Sequence, residues 1–108
     1  MSQRQLKIAI TTLPDQAQAE QIAKLLVHEK LAVCVQIDSA ISSIYRWQGA
    51  VECEKEVRVW IKCRQELLKD LERKVKQEHP YETPQWIVLS VEEASREYLE
   101  WAYEEECD

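Results

Sequence analysis

A chain of 108 residues has room for one hydrophobic core, so residues 1–108 are expected to form a single domain. Its 20 acidic and 14 basic side chains leave a net charge of −6. That balance argues against nucleic acid or an anionic membrane as partner, since both need clustered Lys and Arg. An apolar content of 45% excludes disorder, and a single glycine excludes phosphate-cradling loops and dinucleotide fingerprints.

In chain order, Met1–Gln5 is polar, and the apolar run Leu6–Ile10 is too short for a signal-peptide core or a membrane span. A cytoplasmic location is therefore expected. Leu6 to Thr12 is rich in β-formers and ends at Leu13-Pro14. Asp15 suits an N-cap for a helix over 16–30, with Ala19, Ile22, Ala23, Leu26 and Val27 on one buried face. Leu31 to Ile37 reads as a strand that Asp38-Ser39-Ala40 interrupts and Ile41 to Trp47 resumes. On that second stretch Ile41, Tyr45 and Trp47 share a face and Ile44 takes the other. Gly49 marks a turn into Val51–Cys63, the clearest periodicity in the chain. There Val51, Cys53, Lys55, Val57, Val59, Ile61 and Cys63 alternate with Glu52, Glu54, Glu56, Arg58, Trp60 and Lys62.

A second helix is predicted over 65–78, with Leu67, Leu68, Leu71 and Val75 inward, then a strand from Gln85 to Val91. A short helix over 95–104 precedes an acidic tail, Glu104 to Asp108, expected to be solvated. The order β-α-β-β-α-β places both long helices on one face of a mostly antiparallel sheet, an α+β, ferredoxin-like βαββαβ sandwich with a C-terminal helix. The other sheet face has no long helix, yet Trp60 lies on it. Trp60 is therefore predicted to sit at a subunit interface.

Candidate chemistry concentrates in His79-Pro80-Tyr81-Glu82-Thr83-Pro84, where two prolines hold an imidazole, a phenol and a carboxylate in a rigid loop. The same prolines also suffice merely to stop the helix, with Tyr81 plugging a core edge. Imidazole beside Glu78 and Glu82 suits a borderline divalent metal, but one chain cannot complete four-fold coordination there, so such a site is weak or shared. His28, at the end of the first helix, reads as a surface residue. Cys34, Cys53, Cys63 and Cys107 lack metal or redox spacing and read as free thiols, Cys34 as a core thiol. No nucleophile–base pair is present, and the chain reads as non-enzymatic.

Several segments together resemble the divalent-cation tolerance family CutA. They are Thr12-Leu13-Pro14-Asp15, Leu31-Ala32-Val33-Cys34-Val35, Ser43-Ile44-Tyr45-Arg46-Trp47-Gln48-Gly49, Glu56-Val57, His79-Pro80-Tyr81-Glu82-Thr83-Pro84 and Tyr98-Leu99-Glu100-Trp101. The resemblance implies a compact, PII-like homotrimer, in the cytoplasm, associated with tolerance of copper and other divalent cations. It also implies copper ligands at Thr11, Glu78 and His79, where the family pattern has a cysteine and two histidines. Only His79 keeps the family's residue type, so copper(II) or another divalent cation is expected to bind weakly. The alternative is a PII-like sensor with Tyr45, Trp47, Tyr81 and Glu82 lining an inter-subunit cleft for a small organic or anionic ligand. A purely structural or partner-binding trimer is the third possibility.

Overall fold

In the computed structural model, which describes residues 4–106, the chain forms four strands and three α-helices. They run β1 (Leu6–Leu13), α1 (Gln16–His28), β2 (Cys34–Trp47), β3 (Ala50–Arg64), α2 (Leu68–Glu78), β4 (Ile87–Ser90) and α3 (Arg96–Glu106). The sheet order is β2-β3-β1-β4, with every neighbouring pair antiparallel.

Local chemistry sets the boundaries of α1. The Asp15 carboxylate accepts the Gln18 backbone N–H at 2.8 Å, satisfying one of the orphan donors of the first turn. That bond also holds the Asp15 carboxyl below its usual range. The helix ends at His28 rather than at residue 30, because Lys30 turns left-handed, with φ of 62°. The Lys30 and Leu31 N–H groups then close back onto the Val27 and Leu26 carbonyls. Val27, expected inward, is exposed, since the buried stripe runs through Ala19, Ile22, Ala23 and Leu26.

The main core lies between this stripe, Leu71 and Val75 of α2, and the covered sheet face of Ala9, Leu13, Val57, Val59, Ile61 and Cys63. The alternation along β3 places these residues together. Asp38-Ser39-Ala40 does not break β2, as the sequence suggested. It forms a bulge between Ile37 and Ala40, and the two halves make one strand. The extra residue reverses the parity of the strand. Val35 and Ile37 pack into the main core, whereas Ile41, Tyr45 and Trp47 come to lie opposite Glu56, Glu52 and Ala50 on the other face.

That other face is covered at one end only. There α3 packs Tyr98, Leu99, Ala102 and Tyr103 against Leu6, Val33, Cys34 and Val91. Cys34 is thus half-buried beneath α3 rather than the core thiol expected from the sequence, and Cys53 is exposed. Three boundaries also move. The second helix opens as a 3-10 turn over Gln65–Leu67, β4 is shorter than Gln85–Val91, and α3 extends to Glu106 into the stretch expected as a tail. Cys107 lies outside the described residues.

Trp60 stands on the partly covered face, half-buried, with its indole N–H donating to Asp38 at 2.8 Å. Arg58 donates to the same carboxylate oxygen at 2.8 Å and lies 5.3 Å above the Trp60 ring. The two donors, the indole first, hold the Asp38 carboxyl below its ordinary range.

The strands differ in length, and this shapes the molecule. Leu13, the last residue of β1, pairs with Val57, so β2 and β3 continue over residues 41–56 as a two-stranded arm. The principal extents are 49 × 25 × 23 Å, and the radius of gyration is 14.9 Å. A compact chain of this length has a radius of about 13 Å. The arm turns at Gln48 (φ 49°) and Gly49 (φ 82°), the two left-handed residues of a type I′ hairpin. Asn tolerates positive φ better than Gln. Gln48→Asn is therefore expected to stabilise the fold by up to about 1 kcal/mol, read as a rise of a few degrees in Tm.

Candidate functional site

The loop after α2 crosses the end of the sheet where the arm departs. His79 caps α2 in extended conformation and is only 8% exposed. Its Nδ1 accepts the Tyr81 backbone N–H at 3.1 Å, while Nε2 lies 2.8 Å from the Thr12 carbonyl oxygen. A ring nitrogen that accepts an N–H carries no proton, so the proton resides on Nε2 and is donated to Thr12. The Thr11 hydroxyl, fully buried, lies 3.2 Å from the same nitrogen. The Tyr81 ring stands 4.9 Å from the imidazole, and its phenol donates to Glu56 at 2.9 Å. On the same face the Tyr45 phenol donates to Glu54.

These contacts unite some predicted residues and separate others. Thr11 meets His79, and Tyr45 and Tyr81 bond to neighbouring carboxylates at the root of the arm. Glu78 lines a groove of about 310 Å³ between α1, α2 and Pro80, where it pairs with Lys74 at 4.0 Å. Lys74 also lies 3.4 Å from Glu29. Glu82 is exposed and bonds to no other described residue. Trp47 sits at the arm tip opposite Ala50, roughly 20 Å along the strand from Glu56. Within one chain, Trp47 therefore does not share a cleft with Tyr81.

The sequence alone does not assign Glu54 and Glu56 to the site. Alternating carboxylates on an exposed strand look like ordinary solvated surface. The register supplies what that view lacks: the arm face of Ile41, Ser43, Tyr45, Trp47, Ala50, Glu52, Glu54 and Glu56 carries no Lys or Arg. The bond to Glu54 pushes the Tyr45 phenol up to about 12. Burial, then the bond to Glu56, raises Tyr81 above its usual value. Burial pushes His79 down, against the opposing pull of the Thr12 carbonyl and Glu56.

The His79 shift has a testable sign. Its folded-state pKa lies below the unfolded value of about 6.5, so below that pH the unfolded chain binds more protons. Stability from this residue is full above about pH 6.5 and is lost as pH falls toward the lower folded-state value. Chemical denaturation of wild type and His79→Asn over this range should show a steeper slope in wild type than in the variant.

Residues 7–105 match the family model described as CutA1 divalent ion tolerance protein. The chain belongs to that family. It is 40% identical over 98 residues to the divalent-cation tolerance protein CutA of Thermus thermophilus, covering 91% of this chain and 95% of that protein. Among solved structures, CutA from Synechococcus elongatus superposes with a TM-score of 0.93 at 33% identity, covering 99% of this chain and 95% of that one. A CutA from Archaeoglobus fulgidus, described as periplasmic, gives 0.90 at 34% identity, covering 94% and 98%. No helix among the described residues is long and apolar enough to cross a membrane.

The family association with cations invites a test of fit at Thr11, Glu78 and His79. Both imidazole nitrogens are engaged, Thr11 offers a neutral hydroxyl, and Glu78 is paired with Lys74. Among the described residues no three His, Cys, Asp or Glu side chains are grouped to hold a metal ion. The residues present do not make a copper site within one chain.

Proposed function

We propose that the protein serves divalent-cation tolerance as a cytoplasmic, non-enzymatic homotrimer that holds copper(II) or another divalent cation only weakly. The tolerance role follows from family membership, and the number three from resemblance to the family. The observation that carries assembly is the arm, on which Ile44 (70%), Val51 (69%) and Trp47 (53%) stand exposed. A lone two-stranded ribbon is marginal in water, and apolar side chains on both of its faces favour packing against further copies.

Light scattering coupled to size exclusion tests this directly, with an expected mass near three times 12.7 kDa. A folded, soluble monomer contradicts it. Copper(II) titration followed by tryptophan emission should give a dissociation constant of about micromolar to millimolar, a free energy of only about −8 to −4 kcal/mol. Nanomolar binding would contradict the weak-cation reading.

A second reading rests on the Tyr45–Glu54 and Tyr81–Glu56 pairs. In an assembly, these groups with Trp47 and Glu82 line an inter-subunit cleft for a small ligand. Three uncompensated carboxylates on the arm favour a neutral or cationic ligand over an anionic one. A thermal-shift screen of such compounds on wild type and Tyr81→Phe tests it. A stabilising compound whose effect disappears in the variant supports the cleft.

A further inference from the structure

His79 invites description as a metal ligand, yet its surroundings commit it elsewhere. A neutral imidazole has one donor and one acceptor, and here both are spent. The acceptor, Nδ1, takes the N–H of the residue two positions ahead, the same i to i+2 closure that Asn and Asp make in Asx turns. The donor, Nε2, reaches the Thr12 carbonyl at the end of β1. Pro80, between His79 and Tyr81, fixes its own φ and stiffens the closure. The Tyr81 phenol then meets Glu56 at the root of the arm. One buried ring thus links the end of β1, the loop and the arm.

We propose that His79 is a positioning residue that holds Tyr81 on Glu56 and is not a metal ligand. The functional weight of that pose rests on the reading of Tyr81 as a cleft residue. A metal at Nδ1 would have to strip away the Tyr81 amide in a site closed to solvent, with no thiolate or second imidazole grouped with it among the described residues to compensate. Glu56 is the receiving end of the link, and neither it nor Thr12 stands near His79 in sequence.

Two isosteric variants separate the two bonds. Asn places its Oδ1 near the position of Nδ1 and keeps the Tyr81 closure, while the Gln amide reaches the position of Nε2 and keeps only Thr12. Nitrogen-15 NMR on the full chain should show wild-type His79 as the neutral tautomer protonated at Nε2. Zinc(II), a diamagnetic probe, should leave those ring signals unmoved. Amide exchange at Tyr81 should stay near the wild-type rate in His79→Asn. In His79→Gln it should speed up about five- to tenfold, the worth of one net hydrogen bond.

Zinc-induced shifts of the His79 ring, or equal loss of Tyr81 protection in the Asn and Gln variants, would overturn the assignment. The wild-type ring measurement remains decisive even where a variant fails to fold. Failure of the cleft reading registers separately, as ligand binding unchanged by Tyr81→Phe.

Discussion

Ile44→Asp combined with Val51→Asp is expected to turn a trimer into folded monomers. Both side chains occupy the arm face shared with Cys53, diagonal to one another across β2 and β3, and both are about seven-tenths exposed in the single chain. Covering two such side chains contributes about 1.5–3 kcal/mol each per subunit. A carboxylate left unpaired in the same interface costs several kcal/mol more. The core between β1, β3, α1 and α2 lies beyond the arm, so far-ultraviolet circular dichroism should be nearly unchanged. Light scattering should give about one third of the wild-type mass. A variant that remains trimeric would show that this arm face is not the contact surface, whereas Gln48→Asn at the turn should leave assembly intact.

Trp60→Glu is expected to damage the subunit itself as well as its assembly. The sequence view treated Trp60 as an interface residue alone. The structure adds an internal role, because the indole N–H shares the Asp38 carboxylate with Arg58. Glutamate would set a second carboxylate beside Asp38 and discard the ring beneath Arg58. Truncating a large buried aromatic costs about 3–5 kcal/mol, and a half-buried one proportionately less, so about 2–4 kcal/mol is expected in denaturant unfolding. Trp60→Phe keeps a ring and loses only the N–H donor, at about 1 kcal/mol. Should Trp60→Glu lower the trimer mass without lowering the denaturation midpoint, the Asp38 contact carries no stability.

Assembly and site meet at the root of the arm. Tyr81 arrives there from the loop, Glu56 from β3 and Tyr45 from β2. A substitution that alters how the arm leaves the sheet therefore bears on both, which ties the cleft reading to the oligomeric state.

Much of the fold is legible in local pattern. The alternation of β3 assigns each residue from Val51 to Cys63 to a face, because a strand has period two and no freedom to drift. The stripe from Ala19 to Leu26 and the Asp15 cap place α1 for equally local reasons. The sequence by itself thus determined the order of elements, the covered sheet face and the rigid His79–Pro84 loop. Only the tertiary structure decided that Asp38-Ser39 forms a bulge, since its parity depends on pairing with β3. Length alone did not reveal the arm either, because the point at which β1 stops supporting β3 is set by the Leu13–Val57 register. The site was least legible. Thr11 and His79 lie 68 residues apart, and Tyr81 and Glu56 lie 25 apart. Packing α2 on the sheet is what closes those distances and brings Nε2 of the imidazole onto the Thr12 carbonyl, while the loop itself occupies Nδ1.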